Sequence, residues 1–250
     1  MQNDEGLTKT YKFTSGKYIG DPINCVKIFN EKQADELMIL DIDATRLNYE
    51  PKFELISKIS AECRMPLCYG GGIRNVKQAQ RIIDMGVEKV AISSAFVEDP
   101  NLIREISLAI GSQSVVAVLD VRKNKNIFNK SHEVFTLNGT KKSDTNLIDF
   151  IEVFQKNGVG EIVINSIDND GVMSGYEIEL AQKIKNFIKV PMTFLGGAGS
   201  TNHIEELYKT IGLTGAAAGS LFVFKGKYKA VLINYPNPEE KLKICKDIKL

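Results

Sequence analysis

Two glycine-tipped apolar runs carry the first chemical signal in this chain. Pro66-Leu67-Cys68-Tyr69-Gly70-Gly71-Gly72-Ile73 recurs 125 residues later as Pro191-Met192-Thr193-Phe194-Leu195-Gly196-Gly197-Ala198-Gly199. Leu40-Asp41-Ile42-Asp43 recurs as Asn165-Ser166-Ile167-Asp168, and Ser94-Ala95-Phe96 as Ser220-Leu221-Phe222. Glycine lets backbone N–H groups approach phosphate oxygens, and a hydroxyl adds a donor. Gly71, Gly72, Ser93 and Ser94 are therefore one candidate anion site, and Gly196, Gly197, Gly219 and Ser220 the other. Turns also use glycine, so one pair alone is a weak signal. The repetition points to a substrate with a phosphate at each end.

The candidate reactive groups are acids. Asp120 ends the run Val115-Val116-Ala117-Val118-Leu119. A carboxyl leaving such a strand is expected to be semi-buried, with its pKa raised toward a useful acid–base range. Asp170 follows the run Glu161–Ser166, expected on the opposite side of the fold, next to Gly171. Asp43 is a third candidate, and only one of Asp41 and Asp43 is expected to face inward. Each acid could instead cap a helix or close a turn. Glu36, Glu88-Lys89 and Glu161 lie at run starts, where charge is either solvated or closes a polar ring. Cys25, Cys63, Cys68 and Cys245 show no paired spacing and read as buried thiols in a reducing interior. His132 and His203 are isolated, so neither a metal nor another cofactor is implied.

These residues need a scaffold that gathers strand ends. Strand-like runs at Leu37–Asp43, Leu67–Gly70, Lys89–Ser93, Ser114–Val121, Glu161–Ser166, Met192–Leu195 and Ala216–Gly219 alternate with amphipathic stretches. The latter are Pro51–Cys63, Val76–Met85, Asn101–Ile110, Asn146–Asn157 and Tyr176–Phe187. Gly86, Gly111 and Gly158 follow helix ends. This alternation predicts parallel strands with right-handed crossovers, and active groups at the strands' carboxyl ends. The 250 residues suit one α/β domain, a (β/α)₈ TIM barrel spanning 1–250 with an internal two-fold repeat. Seven strands are countable, so the first is expected to be missing or displaced. Gly6–Phe13 and Asn126–Asn138 read as hairpins. Lys+Arg 32 against Asp+Glu 31 gives a net charge of +1, with no field for nucleic acid. The apolar runs are too short for a membrane span, and a cytoplasmic setting is expected.

Asp35-Glu36-Leu37, Tyr69–Arg74, Gly111-Ser112-Gln113-Ser114-Val115-Val116, Ser166–Gly171 and Gly196–Gly199 together resemble the cyclase (HisF-type) subunit of imidazole glycerol phosphate synthase. The resemblance covers nearly the whole chain. The sister phosphoribosyl isomerase of histidine synthesis fits Gly111–Val116 and Asp168–Gly171 less well. The resemblance implies that a partner glutaminase releases ammonia, which enters at the barrel bottom and attacks a substrate held by its phosphates at the top. Glu36, Lys89 and Glu161 match three of the family's four gate residues, and Asp120 one of its two catalytic aspartates. Gly72, Gly171, Gly197 and Ser220 match phosphate contacts, and Lys9 a mobile-loop lysine.

The chain also departs from that pattern. The family's first strand, with its second catalytic aspartate and an arginine gate residue, has no counterpart. Ser93-Ser94 replace asparagine-threonine, Asn165 replaces a threonine, and Asp43 a small hydroxyl residue. Tyr18–Asn24, Ile28–Glu31 and Leu40–Thr45 resemble a divergent branch working in surface-polysaccharide pathways. That branch, with a glutaminase and an amidotransferase-like third enzyme, is associated with converting an acetamido group of a nucleotide sugar into an acetamidino group. Ammonia delivery for amidination is the expectation. The alternatives are the true histidine-pathway cyclase, a lyase, and a non-catalytic scaffold that activates a glutaminase.

Overall fold

The computed structural model describes residues 6–124, 131–246 and 248. The chain opens on an antiparallel hairpin, β1 (Leu7–Thr10) with β2 (Gly16–Gly20). Then come α1 (Pro22–Glu31), β3 (Leu37–Leu40), α2 (Phe53–Glu62), β4 (Leu67–Gly70), α3 (Val76–Asp84) and β5 (Lys89–Ile92). They are followed by α4 (Ser94–Glu98), α5 (Asn101–Ile110), β6 (Val115–Lys123), β7 (His132–Thr136), β8 (Lys141–Asn146) and α6 (Leu147–Lys156). The remainder is β9 (Glu161–Ser166), α7 (Ile178–Ile184), β10 (Met192–Leu195), α8 (Thr201–Ile211), β11 (Gly215–Ala217), α9 (Ser220–Val223), β12 (Phe224–Lys225), β13 (Ala230–Val231) and α10 (Pro238–Cys245).

Strands β3, β4, β5, β6, β9, β10 and β11 are parallel, and each pairs with the next in that order. With helices as the crossovers, this is the (β/α)₈ type. Among the described residues no strand joins β11 back to β3, so the count of seven holds. On that side the hairpin's Leu7 and Ile19 pack with Cys25, Phe29, Ala34, Val223, Phe224 and Ile233 as a separate apolar cluster.

Period-two alternation sorts the strand residues. Outward Ile39, Leu67, Tyr69, Val90, Ile92, Val115, Ala117, Leu119, Ile162 and Ile164 join the helices' Ile56, Ile82, Ile103, Ile106, Phe154 and Leu180 in the main core. Inward Cys68, Ala91, Val116, Val118 and Val163, with Met38, Leu40 and Leu195, form a second, separate apolar cluster in the lumen. Below this cluster lie Glu36, Lys89 and Glu161, and above it Asp120 and Asn165. The lumen is thus apolar in the middle and charged at both ends.

Helix starts follow side-chain capping. Asp21 accepts from Asn24 N–H, Asn75 from Gln78 N–H, and Asn146 from Asp149 N–H. Asn237 and Glu240 make a reciprocal capping box at α10. Helices α1, α4, α8, α9 and α10 had no predicted counterpart. In α1 the signal was present, as Asp21-Pro22 before buried Cys25, Val26 and Phe29. The first predicted strand is shortened. Asp41 Oδ1 accepts the N–H groups of Asp43 and Ala44, each at 3.2 Å, so the chain turns after Leu40. Strand β6 runs past Val121 because β7 pairs with it antiparallel, and β8 pairs with β7. The 126–138 hairpin is therefore part of a longer three-stranded return, with residues 126–130 outside the described residues. Gly6–Phe13 is not a hairpin by itself: Leu7–Thr10 is one strand, and its antiparallel partner is Gly16–Gly20.

Candidate functional site

At the strand starts, Lys89 Nζ lies 3.0 Å from Glu36 and 2.9 Å from Glu161. Thr193 Oγ1 donates to the other Glu161 oxygen at 2.7 Å. Burial works against the lysine's charge, but the hydrogen bonds and the field of Glu161 and Glu36 prevail and raise its pKa. The predicted ring is therefore a bonded cluster rather than solvated charge. Glu88 is not in it: its carboxylate accepts Leu67 N–H at 2.7 Å.

Across the apolar middle, Asp120 sits at the upper end of the lumen. It is 9% exposed. Asn165 Nδ2 donates to its Oδ1 at 2.9 Å, and Ser93 Oγ donates to its Oδ2 at 3.2 Å. Burial raises its pKa to about 6, with the two hydrogen bonds pulling down and the nearby Asp170 carboxylate pushing up. A carboxyl titrating there can both give and take a proton near neutral pH.

Asp170 is placed differently from expectation. Strand β9 is not opposite β6 but beside it, with Asp120 level with Asn165. Buried Asp170 is held by the opening hairpin, through an ion pair with Lys9 and a hydrogen bond from Thr10 Oγ1 at 2.8 Å. Lys12 N–H also donates to the Asp170 carbonyl. Asp43 is separated from this group. It receives Arg46 Nη2 at 2.7 Å and Nε at 3.2 Å. The pair lines a side cavity of ≈ 240 Å³ with Thr8, Thr10, Thr14 and Thr140. Asp41 lines the main cavity, but its Oδ1 serves its own loop and Tyr49 Oη, the latter at 2.8 Å. The expectation that one of these two acids faces opposite to the other is corrected. Residues two apart share a strand face, and β3 ends before either.

The two glycine rims differ. At the first, Ser94 Oγ accepts Leu137 N–H at 3.1 Å, so the turn between β7 and β8 covers it. Gly72 has φ +74, and a Cβ there would lie 2.9 Å from Tyr49 O. At the second, Ser220 Oγ is buried with no partner among the described residues. A Cβ on Gly219 would meet Lys9 Cε at 2.8 Å, so the lysine stem crosses that glycine. Gly197, with φ +108, packs tighter still: a Cβ would lie 2.0 Å from Gly175 O. Gly71 and Gly196 pack on the Asp41 and Ser166 backbones, and Gly171 on Thr10 O.

One cavity of ≈ 650 Å³ joins these parts. Glu36 and Glu161 line its lower end. Lys9, Gly71, Gly72, Ser93, Ser94, Asp120, Asp170 and Gly219 line its upper end. Lys89, Asp43, Gly171, Gly196, Gly197 and Ser220 are not in its lining. Among the described residues no cluster of His, Cys, Asp and Glu could hold a metal ion, and no helix is long and apolar enough to cross a membrane. The four cysteines are free; Cys25 and Cys68 are buried, but Cys63 is partly and Cys245 fully exposed, which corrects the uniform expectation. The sequence reading missed Thr10, Arg46 and Thr193 entirely. The signal for Thr193 was there, two positions before Leu195 on one strand face.

Comparison with known proteins agrees with this geometry. Residues 6–229 match the family described as histidine biosynthesis protein. A protein of Vibrio vulnificus, provisionally named imidazole glycerol phosphate synthase subunit hisF3, is 56% identical over 97% of this chain and 93% of its own length. A hisF2 protein of Pseudomonas aeruginosa, also provisionally named, is 49% identical over 95% of this chain and 93% of its own. The imidazole glycerol phosphate synthase subunit HisF of Petrotoga mobilis is 34% identical over 90% of this chain and 87% of its own. The chain belongs to this family as a HisF-like synthase subunit.

Proposed function

We propose that this family member is the ammonia-accepting subunit of a glutamine amidotransferase complex. One observation carries the reading: the lumen's layering. A bonded Lys89–Glu36–Glu161 cluster closes the bottom, an apolar tube follows, and a buried acid with a pKa of about 6 waits at the top. An apolar tube passes neutral ammonia and excludes ammonium, because burying an isolated charge is costly. A glutaminase docked on the strand-start face would feed it, over a contact on the order of 1,600 Å².

For the acceptor we propose amidination of an acetamido sugar with a third, amidotransferase-like enzyme: ammonia nitrogen bonds to the amide carbon, and the C=O bond breaks with its oxygen leaving as water. Two observations support a substrate unlike the histidine-pathway ribonucleotide. Asp43 and Arg46 form an ion pair at the upper rim, and the first glycine rim is covered by the β7–β8 turn. The chain is also nearer to the provisionally named hisF2 and hisF3 proteins than to that of Petrotoga mobilis. The second reading, the histidine-pathway cyclase, is favoured by the retained Asp120 with Asp170 in its field.

The test is a reconstituted complex given glutamine labelled with ¹⁵N at its amide, excess unlabelled ammonium, and either acceptor. The amidination reading expects label in an acetamidino sugar and no appreciable turnover of the ribonucleotide. Robust ribonucleotide cyclisation would restore the second reading.

A further inference from the structure

Asn165 stands where the apolar lumen gives way to the acid. Its side chain is buried and lines the main cavity beside Asp120, its neighbour across the β6–β9 pairing. Two residues earlier on the same strand faces lie Val118 and Val163, both part of the apolar lumen cluster. The amide is oriented by its partner: Nδ2 must face the Asp120 carboxylate, which leaves Oδ1 turned away. That Oδ1 is buried and has no partner among the described residues. A buried acceptor left without a donor is unfavourable, so a donor is expected from a bound molecule.

We propose that Asn165 is a positioning residue that captures ammonia at the lumen's exit, holding Asp120 with its amide N–H and ammonia with its carbonyl oxygen. The proposal rests on the ammonia-delivery reading. A molecule leaving the apolar layer meets Asn165 Oδ1 and the Asp120 carboxylate together. Ammonia can give one N–H to each and keep its lone pair free for the substrate above. Asparagine suits the task because one rigid group supplies both a donor and an acceptor. Aspartate would keep only the acceptor, and leucine neither.

The test uses the whole chain with carboxyl-¹³C aspartate, the Asp120 signal being assigned by its loss in Asp120→Asn. At a pH well above 6, ammonium chloride is titrated against potassium chloride, whose cation is of similar size but cannot donate. Ammonium should move the Asp120 signal saturably and potassium should not. In Asn165→Leu the ammonium midpoint should rise roughly tenfold, the worth of one hydrogen bond, and Asp120 should titrate at higher pH because a donor to its ionised form is gone. Asn165→Asp should keep the ammonium response while still raising the Asp120 titration. Equal responses to the two salts, or an unchanged ammonium midpoint in Asn165→Leu, would overturn the proposal. A residue that only held Asp120 would shift the Asp120 titration and leave the ammonium midpoint in place. Failure of the wider reading looks different: glutaminase turnover would ignore the chain while the Asn165-dependent ammonium response persisted.

Discussion

The two rims descend from one repeated sequence pattern and have diverged in what they offer a ligand. At Gly72 and Ser94 the hydroxyl is already bonded to Leu137 N–H, and Arg46 is bound to Asp43. At Gly197 and Ser220 the hydroxyl has no partner among the described residues, and Lys9, paired with Asp170, lies across Gly219. Gly71, Gly72, Gly196 and Gly197 are explained by packing, since a Cβ at any of them would strike backbone. Glycine repetition alone therefore does not separate an anion cradle from a tight turn. The unpaired hydroxyl does, and of the two rim serines Ser220 alone shows it among the described residues. On this account the substrate's anionic end belongs there.

The largest expected effect lies on the seam between the halves. Asp120 is bonded to Ser93 on one side and Asn165 on the other. Asp120→Asn should lower ammonia-dependent turnover about 10²–10⁴-fold, the usual worth of a placed acid–base group. A variant that still supported amidination at the normal rate would mean that the barrel only conducts ammonia.

Backbone packing gives the next contrast. Gly197→Ala should destabilise by about 3 kcal/mol or more, and Gly72→Ala by about 1–2 kcal/mol. The reason is the closer approach of Gly175 O, in a backbone conformation that L side chains rarely adopt. Chemical denaturation that ranks the two in reverse would break the packing comparison.

Asp120 also predicts a pH dependence of stability. Its folded pKa is raised, so the folded state holds the proton more tightly than the unfolded chain. Stability is fullest below the unfolded value near 4 and falls as pH rises through about 6. The full effect is on the order of 3 kcal/mol. Thermal melts of Asp120→Asn should gain on the unsubstituted protein across that window and level off above it. A constant difference from pH 4 to 8 would contradict the burial argument.

The subtlest contrast concerns anion binding. Ser220→Ala should weaken inorganic phosphate by about tenfold, as for a lost hydrogen bond to a charged group, whereas Ser94→Ala should change it less than about twofold. Calorimetry showing equal losses would erase the distinction between the rims.

Much of this was legible in the sequence, for physical reasons that can be named. Continuous apolar runs located all seven strands, because a strand buried on both faces is apolar on both. Asp120 was identified because an acid closing a five-residue apolar run is expected to be semi-buried, with its pKa raised toward an acid–base range. The side-chain partners were not legible. Lys9 meets Asp170 across 161 positions, and nothing local records such a contact. The adjacency of β6 and β9 was hidden by the intervening β7–β8 excursion. The turn after Leu40, which takes Asp43 away from the lumen, depends on one carboxylate bonding its own backbone.

The central claim is that this barrel takes ammonia from a docked glutaminase. Glutamine hydrolysis by a HisH-type glutaminase subunit from the same organism, measured with and without a stoichiometric amount of this chain, tests that most directly. The account predicts a stable complex and a clear rise in turnover, lost when charge reversal at Glu36 and Glu161 disrupts the strand-start face. Turnover unchanged by adding the chain, with no complex on co-purification, would contradict it.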